Sequence, residues 1–384
     1  MIKSILTISF YIIILRILFY SYKIIEVLVF MNIFENLEKY NYEELVFFND
    51  TETGLKAITC IHSTKLGPSL GGTRLWNYAT EEEAIIDVLR LARGMTLKSA
   101  AAGLDLGGGK TVIIADPNKV KGNEVFWRSY GKFINSLNGR YITAEDVNTS
   151  PVEMDFVAKE TNFVVGLRRK SGDPSPMTAY GVYMSIKASA FKAYGNDNLS
   201  GKRVSIQGLG HVGMVLCDYL HKDGVELIVS DIDKEKVNNA IKLYNAKAVD
   251  VNDIYSQDVD IFAPCGLGAI INDDTIPQFK CKVIAGSANN VLKEAKHGKI
   301  LKDKGIVYAP DYVANAGGVI NVSFESTGYN YDDAKDATAK IYDRLLQIFE
   351  TSDRENISTQ EAADKVALDR IESLSKIKAK YVRK

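Results

Sequence analysis

The chain has 384 residues, with 47 Lys+Arg against 48 Asp+Glu, so its charge gives no reason to expect nucleic acid or an anionic membrane as a partner. Its 46% hydrophobic residues, 29 Gly and only 8 Pro exclude disordered, collagen-like and low-complexity classes, and the length suggests two domains. Four cysteines (Cys60, Cys217, Cys265, Cys281) form no CxxC pair, and four histidines (His62, His211, His221, His297) show no metal-ligand spacing; reduced, buried thiols in the cytoplasm are expected, with neither a disulfide frame nor a metal site.

Residues 1–30 differ from the rest. The apolar run 5–15 is interrupted by Arg16 and, after 17–22, by Lys23. A spanning helix wants about 20 consecutive apolar residues, and no small-residue cleavage site follows the run. Three readings compete: an upstream artefact ahead of a start at Met31, a membrane anchor or targeting segment, and a structured helix. The abrupt change to soluble sequence at Met31 favours the first.

From there the elements follow in order. Residues 55–62 (LKAITCIH) read as a strand, followed by the glycine-rich LGPSLGGTR. Thr80 with Glu83 three residues on is a capping-box signature. It heads a helix with Ile85, Val88, Leu89, Ala92 and Met95 at helical spacing and Lys98 at its far end. LDLGGGKTVIIAD holds a triple glycine and Lys110 and predicts a strand over 112–115. Residues 124–137 predict an amphipathic helix, and YITAEDVNT a short strand ending in Glu145 and Asp146. Residues 166–178 (GLRRKSGDPSPMT) break the pattern and mark a domain boundary, with helix over 179–193. From Arg203 strands alternate with helices (RVSIQ, ELIVSD, VDIFAP, KVIAG, IVYAP), which implies a parallel sheet covered on both faces. YVANAGGVINV breaks the alternation, and 332–384 is helical and charged. The basic end (Lys376, Lys378, Lys380, Arg383, Lys384) reads as a solvated helix end.

Gly208-Leu209-Gly210-His211-Val212-Gly213 is a GxGxxG between a strand and a helix, with Asp231 ending the next strand about 20 residues on. Gly208 would make the tight turn, Gly210 would admit a pyrophosphate and Gly213 would let helix and strand pack. The helix N-terminus would bind the phosphate charge. Asp231 would accept from the ribose hydroxyls and repel a 2′-phosphate, which favours NAD over NADP. His211 reads as a loop residue.

Lys98 and Lys110 lie in small-residue or glycine-rich settings that would let a substrate approach the backbone. In one desolvated cleft each would lower the other's pKa, and a lysine poised near ~7–8 serves as a general base. Asp146 would exchange a proton with an amine. Taken alone, these residues read equally as a solvated helix end, a turn residue and a helix cap.

The motifs LGPSLGGTR, RLARGMTLKSAAAGLDLGGGKTVI, NGRYITAEDV, DPSPMTAYGV, GLGHVG, APCGLGAI and APDYVANAGGVINV together resemble the Glu/Leu/Phe/Val amino-acid dehydrogenase family, and within it the leucine-specific branch. The likeness covers nearly everything from Met31 onward. It implies an α/β enzyme of two domains: a substrate and oligomerisation domain (31–178), a Rossmann-type NAD domain (179–315), and C-terminal helices (316–384) returning to the first. It implies a homo-oligomer, an octamer in the family, and reversible deamination of an L-amino acid to a 2-oxo acid and ammonia. By the resemblance, Lys98 holds the substrate carboxylate, Lys110 activates water, and Asp146 shuttles the amine proton. Gly71 and Gly72 border the substrate. Thr178 and either Asn289 or Asn290 place nicotinamide and substrate.

Leu70, Met95, Ala144, Val319 and Val322 match positions lining the side-chain pocket, although Val319 and Val322 read equally as core. Glutamate-specific relatives carry a lysine where this chain has Leu70, and phenylalanine-specific relatives differ around TAED. Branched aliphatic substrates are therefore expected, with phenylalanine or another amino acid as the alternative. Loss of Lys98, Lys110 or Asp146 would have indicated a silent NAD-binding paralogue; all three are present. The linker GLRRKSGDPSP looks shorter than in leucine-specific relatives, with Arg168, Arg169 and Lys170 in place of a more neutral, glycine-rich stretch.

Overall fold

A computed structural model describes residues 32–377; the readings made for residues 1–30 and for Lys378, Lys380, Arg383 and Lys384 lie outside the described residues. The helices are α1 (Ile33–Tyr40), α2 (Glu81–Ala101), α3 (Pro117–Val120), α4 (Glu124–Ser136), α5 (Pro151–Val157), α6 (Ser175–Tyr194), α7 (His211–Lys222), α8 (Lys234–Tyr244), α9 (Lys296–Asp303), α10 (Asp311–Ala314), α11 (Gly317–Ser323), α12 (Tyr331–Ala339), α13 (Ile341–Glu355) and α14 (Thr359–Ser375). Helix α1 is a short capped element in which Asn32 accepts from the Glu35 N–H.

The first sheet contains β1 (Glu44–Asp50), β2 (Leu55–Ser63), β3 (Ser69–Trp76), β4 (Gly107–Ile114) and β5 (Tyr141–Glu145), in the order β1-β2-β4-β3-β5. Strands β1–β2 and β2–β4 pair antiparallel, whereas β3 runs parallel to both β4 and β5. The apolar stripe of α2 is buried at Ile85, Val88, Leu89 and Ala92. In the opposing core Phe126, Trp127, Tyr130 and Ile134 of α4 pack on Leu55, Ile61 and Ile113. Each such large side chain stabilises by roughly 1.5–3 kcal/mol when fully buried.

Two local expectations change. Lys110 is not a turn residue: with the triple glycine it forms the first part of β4, which starts at Gly107 and not at residue 112. A Cβ on Gly108 would lie 2.0 Å from the Thr96 nitrogen of α2, and one on Gly107 1.9 Å from the Ser63 oxygen. The glycines let a helix and a neighbouring strand press against β4, and the space beside them is filled by protein instead of substrate. At the start of α2, Thr80 accepts from the Glu83 N–H, but the Glu83 carboxylate reaches back to Ala79 N and not to the cap residue's own N–H.

The second sheet holds β6 (Arg203–Gln207), β7 (Glu226–Ser230), β8 (Lys247–Ala248), β9 (Ile261–Pro264), β10 (Val283–Ile284) and β11 (Val307–Tyr308). Its order is β11-β10-β9-β6-β7-β8, parallel throughout, so the strand order reverses direction at β6, where open α/β sheets bind ligands. One face packs on α6, α7 and the C-terminal helices, through Val182, Ile186, Leu216, Leu345, Ile348 and Ala367. The other is closed by Phe262, Phe279, Leu301 and Tyr308. That first core also includes Leu97, Ala100 and Ala101 of α2. Arg370 of α14 ties the C-terminal end of α2 down, donating to Leu104 O (2.9 Å), Gly103 O (3.3 Å) and Asp105 (2.7 Å). No described helix is long and apolar enough to cross a membrane.

Candidate active site

A cavity of about 340 Å³ opens where the ends of β3, β4 and β5 face α6, α11 and the loop after β10. Its lining includes Leu70, Gly71, Gly72, Met95, Lys98, Lys110, Ala144, Asp146, Thr178, Asn289, Val319 and Val322. These residues come from seven separate stretches of sequence. Gly71 and Gly72 are glycines for a backbone reason: a Cβ at either would strike the neighbouring strands, 1.8 Å from Gly109 O or 2.4 Å from Glu145 O.

Strand β4 delivers Lys110 and the end of β5 delivers Asp146, which sit 3.0 Å apart. Asp146 is also 3.0 Å from Arg74 of β3, and Arg74 is held from its other side by Asp87 at 3.0 Å. The result is a chain of alternating charge, Lys110–Asp146–Arg74–Asp87. Lys110 is 5% exposed and Asp146 26%. Burial alone would raise the Asp146 carboxyl, but Lys110 and Arg74 overcome it and hold it at about 2. Burial lowers Lys110, opposed by Asp146.

Helix α2 delivers Lys98 in its last turn. Its ammonium donates to Asn315 Oδ1 at 2.6 Å, and Asn315 Nδ2 donates to Asn289 Oδ1 at 2.7 Å and to Ser287 O at 3.1 Å. Lys98 is pushed down to about 8, mainly by burial. The buried Asp311 pulls it back up, and the charge of Lys110 adds only a smaller lowering. Mutual repulsion of the two lysines is thus a minor cause, and burial the main one. Glu145, beside Asp146, is pushed up to about 7 by burial and by Asp173, Glu153 and Asp146.

The opposite wall is apolar. Leu70, Val165 and Val322 form a buried cluster with Leu106, Ile142, Ala144 and Val319 against it. Val319 and Val322 therefore both pack in a core and face the cavity. Of the two asparagines, Asn289 lines the cavity; Asn290 does not, and its φ of 52° places it in a left-handed turn.

The glycine fingerprint lies outside the cavity lining but adjoins it through Val212. Gly208 has φ of 96°. A Cβ on Gly213 would sit 2.1 Å from Gly208 O, so only glycine lets α7 pack this closely on the turn. A Cβ on Gly210 would meet nothing within 4 Å, and α7 begins with no side-chain cap on its first N–H groups. Open space before an uncapped helix N-terminus suits a pyrophosphate. Asp231 closes the far side, accepting from Leu209 N at 2.6 Å and Asp233 N at 2.8 Å. His211 is not a loop residue: it is the exposed first residue of α7.

Arg74, Asn315, Asp311 and Val165 were not singled out from sequence. Arg74 and Asn315 stand inside quoted motifs, LGGTR and VANAGGV, which is the only signal that could have found them. One group of potential metal ligands comes together among the described residues, Asp273, Glu294 and His297. His297 Nδ1 accepts the Glu294 N–H at 3.0 Å, which leaves the ring proton on Nε2, facing Asp273. Lys296 lies 3.1 Å from Asp273 and 3.4 Å from Glu294, so an ammonium already answers these carboxylates.

Residues 43–163 match the family described as "Glu/Leu/Phe/Val dehydrogenase, dimerisation domain", and 171–234 with 224–378 match "Glutamate/Leucine/Phenylalanine/Valine dehydrogenase". The chain is 57% identical to a leucine dehydrogenase from Thermoactinomyces intermedius, over 92% of this chain and 97% of that protein. It is 46% identical to an L-tryptophan dehydrogenase from Nostoc punctiforme, over 92% and 99% respectively. The crystal structure of L-tryptophan dehydrogenase from Nostoc punctiforme superposes with a TM-score of 0.80, at 44% identity, covering 89% of this chain and 99% of that one.

Proposed function

The chain belongs to the Glu/Leu/Phe/Val dehydrogenase family and is an amino-acid dehydrogenase with a nicotinamide cofactor, and on that footing we propose that it carries out the NAD-dependent, reversible deamination of a branched-chain L-amino acid to its 2-oxo acid and ammonia. The observation that carries this reading is the shared cavity, with two lysines and an aspartate on one wall and Leu70, Ala144, Val319 and Val322 on the other. The proposal includes a homo-oligomer and a division into a substrate domain, an NAD domain and returning C-terminal helices.

A nicotinamide bound in this cleft would supply the acceptor for the hydride that leaves the substrate Cα. Gly208, Gly210 and Gly213 would hold its pyrophosphate at the start of α7, Asp231 its ribose, and Thr178 and Asn289 its nicotinamide end. Lys98 exchanges its bond to Asn315 for the substrate carboxylate, which restores its charge in a place where burial opposes it. Lys110 must lose its proton to act as a base, and burial makes that loss easier. Once Lys110 is neutral, Asp146 keeps only Arg74 as a counter-charge. Its proton affinity rises, and it can then take a proton from the substrate ammonium. The two groups titrate as a pair. Lys110 next removes a proton from the water that adds to the imine carbon; Asp146 returns its proton to the amine, which departs as ammonia, and takes the proton of the new hydroxyl as the carbonyl forms. Leu70, Ala144, Val319, Val322 and Met95 receive the aliphatic side chain; a γ-carboxylate there would lose its hydration and gain no cation.

Incubating the protein with NAD and L-leucine, and measuring 2-oxo acid, ammonia and NADH together, tests the reading. One equivalent of each is expected, with none from D-leucine. NADH formation without ammonia would refute it.

A further inference from the structure

The stretch 166–174 runs along the cavity as a strap between the first sheet and α6, with Gly166 and Pro174 at its edge. Glu325 lies in the 3₁₀ turn Phe324–Ser326 that follows α11 and is 6% exposed. Its Oε1 accepts the N–H groups of Gly166 (3.1 Å), Leu167 (3.3 Å) and Ser171 (3.1 Å), and also the Ser171 hydroxyl. Its Oε2 is buried with no partner, and among the described residues no lysine or arginine pairs with it. An irregular strap needs an acceptor for its buried N–H groups. A carboxylate makes such bonds stronger than a neutral oxygen does.

Both anchored segments border the apolar pocket: Gly166 and Pro174 of the strap line it, as do Val319 and Val322 of α11. Val165 immediately precedes the strap and packs with Leu70 and Val322. Val319 and Val322 belong to α11, which ends two residues before Glu325. We propose that Glu325 is a positioning residue that sets the width of the side-chain pocket, and so the choice among amino-acid substrates, by clasping the strap to the end of α11 without touching substrate. The inference rests on the function proposed above. It explains why four donors converge on one buried oxygen while its twin has none: the carboxylate serves the strap, not an ion pair.

The test compares Glu325→Ala and Glu325→Gln in the full chain. The readouts are kcat and KM for L-leucine and L-phenylalanine, KM for NAD, and hydrogen exchange of strap peptides. Gln keeps an acceptor oxygen for the strap and removes the unpaired charge. In Glu325→Ala the leucine KM should rise about tenfold and the leucine-over-phenylalanine preference should fall at least about fivefold, with NAD KM within about threefold of wild type. Strap amides should exchange faster in the same variant. Glu325→Gln should recover most of both losses. A wild-type substrate preference in Glu325→Ala overturns the proposal. So does an equal loss on both substrates that Gln does not rescue. Should Glu325→Ala not fold, Ser171→Ala removes the hydroxyl's bond to Glu325 and keeps the N–H of residue 171, and an unchanged leucine-to-phenylalanine ratio there also overturns it. A wild-type protein that oxidises no amino acid refutes the proposed function and the pocket-width assignment with it; strap exchange in Glu325→Ala reports the clasp separately.

Discussion

Replacing Asp146 by Asn removes one negative charge 3.0 Å from both Lys110 and Arg74 and leaves the shape almost unchanged. The carboxyl is held at about 2 against an ordinary 3.8, and at about 1.4 kcal/mol per pKa unit that corresponds to roughly 2 kcal/mol of stability. Because its folded-state pKa is depressed, the contribution is fully present above pH 3.8 and is lost as pH falls toward 2. Removal also strands the Lys110 ammonium, so the total cost near pH 7 can reach ~4 kcal/mol. The lysine's folded-state pKa lies below its unfolded value of 10.5, so its charge opposes folding at low pH, and the penalty fades as pH rises from the folded-state pKa toward the unfolded one. Without Asp146 the folded-state pKa falls further. The deficit of the variant relative to wild type should therefore narrow from pH 7 toward pH 10 in urea unfolding. The rate should fall by ~10²–10⁴, and the ascending limb of the pH–rate profile should move to lower pH. A near-native kcat, or a stability deficit that is the same at both pH values, would refute the charge chain as described.

Leu70→Lys should lower kcat/KM for leucine and raise its relative value for glutamate, because a buried ammonium costs several kcal/mol beside an isobutyl group and gains a partner beside a γ-carboxylate; an unchanged ratio means residue 70 does not face the side chain. Asp231→Ser should narrow a preference for NAD over NADP, read as the ratio of kcat/KM values; equal use of both cofactors by the unmodified protein contradicts the assignment. Gly108→Ala should cost more than about 3 kcal/mol in urea unfolding, or prevent folding, since its Cβ would overlap the backbone of α2; a shift of under about 1 kcal/mol would show that α2 and β4 are not in contact there. Lys98→Ala should raise the KM for amino acid strongly while NAD binding, followed by fluorescence quenching, is unchanged.

Strand–helix alternation after Arg203 made the parallel sheet and its glycine turn legible, because each strand is a short apolar run and each turn is marked by glycine or proline. Strand β8 was invisible, being two residues long and exposed. The strand expected over 112–115 begins at Gly107, and its first part was not legible because glycines carry no side-chain alternation; only the closeness of α2 explains them. Lys98, Lys110 and Asp146 stood out through the family motifs that hold them; spacing alone left them equally readable as a helix end, a turn residue and a cap. Their partners did not stand out. Asn315 meets Lys98 across 217 positions of sequence, and Glu325 meets Gly166 across 159. Such pairings are produced by tertiary packing and leave no periodic trace.

The central claim is that one cavity joins a carboxylate-binding and proton-handling wall to an apolar side-chain wall. Its most direct test is kcat/KM of the purified protein with NAD across L-leucine, L-isoleucine, L-valine, L-phenylalanine and L-glutamate, followed by NADH absorbance. The account predicts that the branched aliphatic acids lead, that phenylalanine trails, and that glutamate is slowest. Glutamate as the best substrate would contradict it.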